Sequence, residues 1–269
     1  MTAEGGGLPR RIVATIFASI PPRLFRFVRL APVLGDAMLA AVDATFGPQA
    51  RLRKKIRSGP LMGMVVDVDP RAMDMVIGRY EPAIQALLET TLVRGDVAFD
   101  IGANLGYFTL VMAKQVAPGG RVVSFEPDPE VLSVLTDNVN RNVEDSDAVT
   151  VVATAVGADA GTAKFASGWR STRGRIVSDG GDFEVEVMTV DDAAARFGAP
   201  RLMKIDVEGA ELDVLRGAED VLRSARPVVL VEVHSPELEQ RCTDLLESLG
   251  YQCDRRGDRG KKETYLVAT

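Results

Sequence analysis

The sequence predicts an α/β protein built on a mostly parallel, doubly wound sheet with helices on both faces. Two observations predict it. Short, almost continuously apolar runs alternate with longer segments of helical spacing, and glycine, proline or aspartate separates most of them. Strands buried on both faces give unbroken apolar runs, whereas strands with one solvated face alternate. Repeated strand–helix units of this kind are typical of parallel sheets.

The first strand–helix unit shows the pattern most clearly. Residues 97–101 form a short apolar run that predicts a strand, and residues 102–106 form a glycine turn. Residues 107–116 then have helical spacing until Pro118 and the glycines after it end the helix. The unit therefore places a glycine turn at the carboxyl end of a predicted strand.

The rest of the chain repeats this unit with one interruption. The remaining predicted strands are 121–125, 149–153, 202–207 and 227–233, and the remaining predicted helices end at Asn142 or span 210–222 and 236–249. Turn-rich segments at 157–161 and 178–181 frame a hairpin-like insertion, in which residues 183–187 alternate. Residues 251–254 and 264–267, around a charged glycine turn, predict a terminal antiparallel hairpin.

The composition fits a globular enzyme of one large domain with an appendage. The 269 residues are 46% hydrophobic and 26% charged, which is too apolar for a disordered chain. Cys242 and Cys253 can form neither a disulfide framework nor a four-cysteine zinc site, so we expect a reducing, cytoplasmic compartment. The net charge of −6 argues against a dedicated nucleic-acid-binding protein.

A change in charge along the chain predicts the domain boundary. Residues 1–58 carry ten basic and three acidic side chains, whereas the remainder is strongly acidic. We therefore expect a basic, amphipathic helical segment over residues 1–60 and the main domain over residues 61–269.

The N-terminal segment leaves two interpretations open. Its apolar run at 12–20 is much shorter than the roughly 20 residues that a membrane-spanning helix needs. Arg23, Arg26 and Arg29 form one helical stripe beside apolar residues. This pattern fits either a peripheral membrane contact through residues 10–30 or a helix that packs its apolar face on the main domain.

The glycine turn after the first strand indicates a ligand site. Gly102 and Gly106 let a ligand approach the backbone, and the start of the following helix offers N–H groups to an anion. Glu126 ends the second strand twenty residues after Gly106, where its carboxylate can accept both hydroxyl groups of a ribose. A nucleoside cofactor would fit these features.

Two residues favour S-adenosylmethionine over a nicotinamide dinucleotide. The dinucleotide fingerprint has a second glycine where the pyrophosphate approaches most closely, and Asn104 stands there instead. Asp100 adds a negative charge that is awkward beside a pyrophosphate but suits a cationic amino group. S-adenosylmethionine offers that amino group, a carboxylate and a ribose, so we expect it as the cofactor.

Three motifs resemble those of FkbM-family methyltransferases. They lie at residues 99–109, 125–129 and 203–211, and the third matches the family pattern Lys-Ile-Asp-x-Glu-Gly-x-Glu. Tyr80-Glu81-Pro82 is similar to a stretch that often precedes the first motif. The resemblance implies a Rossmann-like class I methyltransferase fold with a seven-stranded sheet, S-adenosylmethionine as donor, and O-methylation of a sugar or natural-product hydroxyl.

The resemblance also implies roles for single residues. Asp206 and Glu208 would line the side where the reaction occurs. Together with the arguments above, the expected cofactor-binding residues are Glu81, Asp100, Gly102, Asn104, Gly106, Tyr107, Glu126 and Asp206.

The ends of the fourth and fifth predicted strands carry the candidate catalytic groups. Residues i and i+2 of an extended chain point to the same side, so Asp206 pairs with Glu208, and Glu232 with His234. A hydroxyl acceptor must lose its proton, and His234 is the predicted general base, with Asp206 and Glu208 beside it. These four side chains could also bind a divalent ion, but no compact ligand spacing requires one and no metal is predicted.

The sequence thus predicts an S-adenosylmethionine-dependent O-methyltransferase. Its acceptor would be a small-molecule or glycan hydroxyl of a sugar, glycolipid or natural product, without a nucleic-acid partner. An N-methyltransferase, a non-catalytic cofactor-binding protein of the same fold, and a nicotinamide oxidoreductase are the alternatives. We expect a cytoplasmic location with membrane association as an option, and the oligomeric state stays open, with a homodimer as one option.

Overall fold

The structure is a computed structural model, and it describes residues 51–69, 72–168, 174–256 and 264–269. Residues 1–50 of the predicted N-terminal helical segment, including its membrane contact through residues 10–30, lie outside these residues. The described end of that segment, residues 51–60, contains a strand at Leu52–Lys55, so the helical prediction is wrong there. The chain divides into two compact units between Pro82 and Ala83.

The described part of the first unit is an antiparallel hairpin followed by one short helix. Strand β1 (Leu52–Lys55) pairs with β2 (Val65–Val68), and α1 (Met73–Val76) follows. Arg53 and Asp67 are opposite each other in the register and form two hydrogen bonds of 2.9 Å. The boundary at residue 60 falls between these paired strands and stays a prediction.

The second unit is built on a seven-stranded sheet. The described strands of this unit are β3 (Val97–Ile101), β4 (Arg121–Phe125), β5 (Val149–Val152), β6 (Ala155–Val156), β7 (Gly161–Ala166), β8 (Arg175–Val177), β9 (Phe183–Met188), β10 (Leu202–Ile205), β11 (Val228–Val233), β12 (Cys253–Arg256) and β13 (Thr264–Ala268). The order across the large sheet is β12-β13-β11-β10-β3-β4-β5. Strands β11, β10, β3, β4 and β5 are parallel, and β13 is antiparallel to both of its neighbours. The predicted sheet and its C-terminal antiparallel hairpin are confirmed.

Helices connect these strands and begin where the sequence provides caps. The described helices after α1 are α2 (Pro82–Thr91), α3 (Tyr107–Val116), α4 (Pro129–Asn142), α5 (Val190–Phe197), α6 (Glu211–Arg216), α7 (Glu219–Ser224) and α8 (Pro236–Ser248). Asp128 caps α4 by accepting the amides of Glu130 and Val131, and Ser235 caps α8 by accepting the amide of Leu238. A proline follows each cap, at a position where its missing N–H costs nothing.

The single helix predicted over residues 210–222 is wrong, because the structure divides it into α6 and α7. Gly217 lies between them, and a Cβ there would be 2.1 Å from the carbonyl oxygen of Gly157. The Gly217 carbonyl also accepts the amide of Asp191 at 2.9 Å. The helix therefore breaks where its backbone meets two other segments of the chain.

The insertion after β5 is larger than the predicted hairpin. Strands β6 to β9 form a four-stranded sheet in the order β6-β9-β7-β8, with β6 parallel to β9 and the other pairs antiparallel. The alternating segment 183–187 belongs to its strand β9, as the alternation indicates.

The core of the second unit lies on the parallel strands. All four residues of β10 and the last four of β3 are buried, so helices cover both faces of the sheet. Phe99 and Phe125, on neighbouring strands, make an edge-to-face contact with ring centroids 5.6 Å apart. Among the described residues, no helix combines the length and apolar character that crossing a bilayer requires.

Candidate active site

The candidate site lies at the carboxyl ends of β3 and β10, where the direction of the chain across the sheet reverses. Strands β4 and β5 extend the sheet on one side of β3, and the chain then returns to form β10 and β11 on the other. Open α/β sheets bind ligands outside the strand ends at such a switch point. Gly102 follows β3 and Asp206 follows β10, and the Asp206 amide donates to the Ile101 carbonyl at 3.0 Å. The glycine turn and the predicted catalytic acid therefore meet at one edge.

The glycine turn is held against the end of β4 by its own amides. The amides of Gly102 and Ala103 both donate to the Phe125 carbonyl, at 3.1 and 3.0 Å. Asn104 has a left-handed backbone (φ 50°), and its side chain accepts the Leu105 amide at 2.8 Å. Asparagine tolerates this conformation better than most residues, which explains its presence in the turn. Because these amides already have acceptors, an anionic ligand group would have to use other donors.

Glu126 is a buried carboxylate with hydrogen-bonding capacity left over. Its Oε2 accepts the Asn104 amide at 2.9 Å and its Oε1 accepts the Asp128 amide at 3.0 Å. Burial raises the pKa of Glu126 to about 7, although both backbone hydrogen bonds oppose this shift. Each carboxylate oxygen has a second lone pair. Glu126 can therefore accept two further hydrogen bonds from neighbouring hydroxyl groups.

A buried ion pair joins β3 to β10. Lys204 is opposite Asp100 in the register, and its Nζ lies 3.8 Å from Asp100 Oδ1. Thr109 Oγ1 donates to Asp100 Oδ2 at 2.6 Å. Burial raises the pKa of Asp100, while Lys204 and Thr109 oppose the shift. Asp100 is completely buried and bonded inside the protein, so its direct contact with a ligand amino group stays a prediction.

His234 has carboxylates near both of its ring nitrogens. Its Nδ1 lies 2.8 Å from Glu211 Oε1, and its Nε2 lies 3.4 Å from Glu208 Oε2. The same Nε2 lies 3.9 Å from both Asp206 Oδ1 and Glu232 Oε1. The four side chains that the sequence assigned to two strand ends are thus brought together, because β10 and β11 are neighbours in the sheet.

The carboxylates control the charge of His234. Burial alone would lower the pKa of His234, but the hydrogen bond to Glu211 and the charges of Glu208, Glu211 and Asp206 raise it to about 9. These carboxylates favour the protonated imidazole, which then acts as a hydrogen-bond donor. A general base is most effective when its pKa is near the working pH, so any base function is shared with the carboxylates.

Sequence reasoning did not assign two residues that complete this group. Glu211 is completely buried against His234, and the last Glu of the Lys-Ile-Asp-x-Glu-Gly-x-Glu pattern is the signal that could have found it. Tyr265 donates from its hydroxyl to Glu232 Oε2 at 2.7 Å. No local pattern indicates Tyr265, because it reaches Glu232 only through the pairing of β13 with β11.

Comparison with known proteins assigns the family. The family described as "Methyltransferase FkbM domain" matches residues 100–256, which include the glycine turn, Glu126 and His234. The chain belongs to the FkbM methyltransferase family. It is therefore a methyltransferase with S-adenosylmethionine as its methyl donor, and the oxidoreductase alternative is wrong.

Relatives and a solved structure agree with this assignment. The hexuronic acid methyltransferase AglP of Haloferax volcanii is 28% identical, over 62% of this chain and 68% of that protein. The 31-O-demethyl-FK506 methyltransferase FkbM of Streptomyces tacrolimicus is 32% identical, over 52% of this chain and 66% of that protein. The structure of methyltransferase FkbM from Methylobacillus flagellatus shares the fold, with a TM-score of 0.52 and 20% identity over 74% of this chain. The match covers 54% of the chain of that solved structure.

The remaining cofactor-binding predictions fall at different places. Gly106 precedes α3 with a left-handed backbone (φ 85°), and Tyr107 is buried with its hydroxyl 3.2 Å from Gln85 Nε2. Glu81 also has a positive φ of 46°, and it belongs to the first compact unit. Of the predicted set, Glu126 has the clearest means of contact, since its spare lone pairs could accept the two ribose hydroxyls, and its role stays a prediction.

Replacing Glu126 by glutamine is expected to weaken binding of S-adenosylhomocysteine about 10- to 100-fold. The change removes a charged acceptor, worth about 1.5–3 kcal/mol per hydrogen bond, and turns an NH₂ group toward a backbone amide. Titration calorimetry measures the effect. Glu130→Gln, an exposed carboxylate in the same region, is the control and should bind like the wild type. Equal affinities for all three proteins would show that the ribose lies elsewhere.

Proposed function

We propose that the methyltransferase transfers the methyl group to a hydroxyl of a sugar, glycolipid or natural product. This proposal rests on one observation. Asp206, Glu208 and Glu232 surround His234 beside the glycine turn. A hydroxyl group holds its proton tightly, so an enzyme that methylates it needs groups that accept or stabilise that proton. A cluster of three carboxylates and an imidazole supplies them.

The exposure and the partners of each residue indicate its role in the reaction. The bound donor supplies a methyl group on a positively charged sulfur, and the protein must align an acceptor oxygen with it. Asp206 and Glu208 are each more than a quarter exposed at their side chains, so they can accept a hydrogen bond from an acceptor hydroxyl. His234 links them to the buried Glu211 and fixes their positions.

Two relatives support this acceptor class through their names. AglP is named as a methyltransferase of hexuronic acid, a sugar acid, and the FkbM enzyme as a methyltransferase of 31-O-demethyl-FK506, a natural product. The name of the FkbM enzyme agrees with an oxygen acceptor, and the name of AglP agrees with a sugar acid, which offers both hydroxyl and carboxyl oxygens.

Incubation with radiolabelled S-adenosylmethionine tests the proposal. The acceptor panel contains uronic acids, neutral sugars, polyketide alcohols and, for comparison, primary amines. We expect label in a hydroxyl acceptor, and about 10²- to 10⁴-fold lower kcat for Asp206→Asn, the usual contribution of acid–base catalysis. His234→Ala should also lower kcat, because it removes the imidazole that positions the carboxylates. Glu219→Gln, which removes a half-exposed carboxylate from α7, should retain wild-type kcat.

The same carboxylates favour one second candidate, an N-methyltransferase. A cluster of negative charge can attract a cationic amine acceptor, and it can also accept a proton. An amine acceptor needs less help from a base, so label only in amines, with His234→Ala still active, would favour N-methylation over the proposed function.

A further inference from the structure

The atoms around His234 Nε2 share a pattern that proton transfer does not require. Asp206 turns Oδ1 toward Nε2 while Lys204 Nζ contacts its Oδ2 at 3.3 Å. Glu232 turns Oε1 toward Nε2 while Tyr265 donates to its Oε2 at 2.7 Å. Each carboxylate thus has one oxygen held by an outer partner and the other directed to a common point.

His234 also has one ring atom held by an outer partner and the other directed to the common point. Its Nδ1 lies 2.8 Å from the buried Glu211, so Nε2 is the nitrogen that faces the carboxylates. Metal-bound histidines are oriented in this way, with the second ring nitrogen bonded to a carboxylate or carbonyl, and metal-bound carboxylates are in turn hydrogen-bonded. The outer partners here are Lys204, Tyr265 and Glu211.

We propose that Asp206, Glu232 and His234 bind a divalent cation, with Glu208 as a further ligand. One ligand atom from each of the first three residues lies within 4.8 Å of the others. Octahedral ligands at about 2.1 Å from a metal are about 3.0 Å apart when adjacent and about 4.2 Å apart when opposite. The separations of 3.4–3.9 Å from Nε2 match neither value, and shifts of less than about 1 Å would bring these ligand atoms onto one cation.

Glu211 provides an independent observation. It is completely buried, and its Oε2 has no hydrogen-bond donor among the described residues. Its Oε1 is shared by the Gly209 amide and His234. A buried carboxylate that is only half satisfied costs free energy unless positive charge lies nearby, and the imidazole supplies that charge when its Nε2 carries a proton or a metal ion.

The donor set identifies the class of ion. Carboxylate oxygens suit Mg²⁺ and Mn²⁺, and one imidazole among them favours Mn²⁺ over Ca²⁺. The ligand group contains no cysteine, in contrast to structural Zn²⁺ sites and Cu⁺ sites that are rich in thiolates.

This inference rests on the proposed function and deepens it. A cation coordinated by three or four side chains retains open positions, and an acceptor hydroxyl bound there loses its proton more easily. His234 would then act as a ligand after its Nε2 proton is released to solvent, and the proton of the acceptor hydroxyl would leave to solvent. The site would also favour acceptors with two adjacent oxygens, which can bind one cation together.

Electron paramagnetic resonance of Mn²⁺ tests the site without donor or acceptor. The full chain is treated with a chelator, dialysed and titrated with Mn²⁺, whose free-ion signal disappears on binding. We expect one site per chain, at least tenfold weaker binding in Asp206→Asn and in Glu232→Gln, and competition by Mg²⁺. Glu211→Gln, which removes an outer partner, should weaken binding about 10- to 100-fold. Glu219→Gln is the matched control and should bind like the wild type.

Two results would overturn the cation site: no saturable Mn²⁺ binding by the wild type at millimolar concentration, or equal affinity in the wild type, Asp206→Asn and Glu232→Gln. Thermal melting of each variant shows whether a loss of binding reflects unfolding, and Asp206→Asn is the decisive variant because Asp206 is partly exposed. The proposed function fails separately. If Mn²⁺ binds as expected and only amines are methylated, O-methylation is wrong and the cation site is confirmed. If hydroxyls are methylated while no Mn²⁺ binds, O-methylation is confirmed and the cation site is wrong.

Discussion

Replacing Gly102 by alanine is expected to prevent the methyltransferase domain from folding stably. Gly102 has a φ of +77°, and a Cβ there would lie 1.8 Å from the carbonyl oxygen and 2.8 Å from the carbonyl carbon of Asp206. Both are backbone atoms, so no change of side-chain conformation removes the overlap. The ends of β3 and β10 would have to separate, at the point where the Asp206 amide bonds the Ile101 carbonyl. We expect a loss of more than about 4 kcal/mol, a large part of the stability of a typical domain.

Gly95→Ala is the matched control for this prediction. Gly95 has a φ of +91°, and a Cβ there would meet nothing within 4 Å. It therefore carries the cost of a left-handed alanine alone, about 1–2 kcal/mol. Urea unfolding followed by circular dichroism compares the two variants with the wild type. If both lose the same stability, the close approach of the two strand ends is not what requires glycine at position 102.

The parallel sheet could be predicted because its strands are short apolar runs buried on both faces. Residues 97–101 and 121–125 match β3 and β4 as the structure has them. The break at Gly217 could not be predicted, because its cause is the approach of the Gly157 backbone, 60 residues earlier in the chain. The four-stranded insertion was underestimated because only β9 alternates clearly, whereas β6 is two residues long.

The parts of the candidate site that lie on single strands could be predicted from the sequence. The i, i+2 rule placed Asp206 with Glu208 and Glu232 with His234, and the pairing of β10 with β11 brings the two sets together. Two contacts of the site could not be predicted, because each depends on the pairing of strands that are distant in the sequence. Tyr265 arrives on the antiparallel strand β13, and Lys204 meets Asp100 only once the register of β10 and β3 is fixed.

Lys204→Met is expected to cost about 3–5 kcal/mol, the usual effect of removing one partner of a buried ion pair. Methionine has a similar length, so the change removes charge more than volume. Lys204 and Asp100 are both almost completely buried, and Lys204 also contacts Asp206 Oδ2. The variant would leave the Asp100 carboxylate without its cation. Urea unfolding measures the loss.

The pH dependence of this loss follows from the carboxylate. Burial already raises the pKa of Asp100, and Lys204 lowers it, so Lys204→Met raises it further. The folded variant then holds its proton more tightly than the unfolded chain does. Its stability must therefore fall as the pH rises above the ordinary pKa of Asp100. We expect a larger deficit at pH 8 than at pH 5.

The double variant Asp100→Asn/Lys204→Met separates the structural role of Asp100 from the predicted contact with the donor. Removing both charges should recover most of the stability that Lys204→Met loses, because a buried pair replaced by neutral groups is often nearly neutral for folding. If Asp100 only positions the turn, the folded double variant binds S-adenosylhomocysteine with an affinity close to the wild type. A loss of tenfold or more in a stable double variant would mean that the Asp100 carboxylate reaches the amino group of the donor. Failure of the double variant to recover stability would instead show that Lys204 supports the fold through its contact with Asp206.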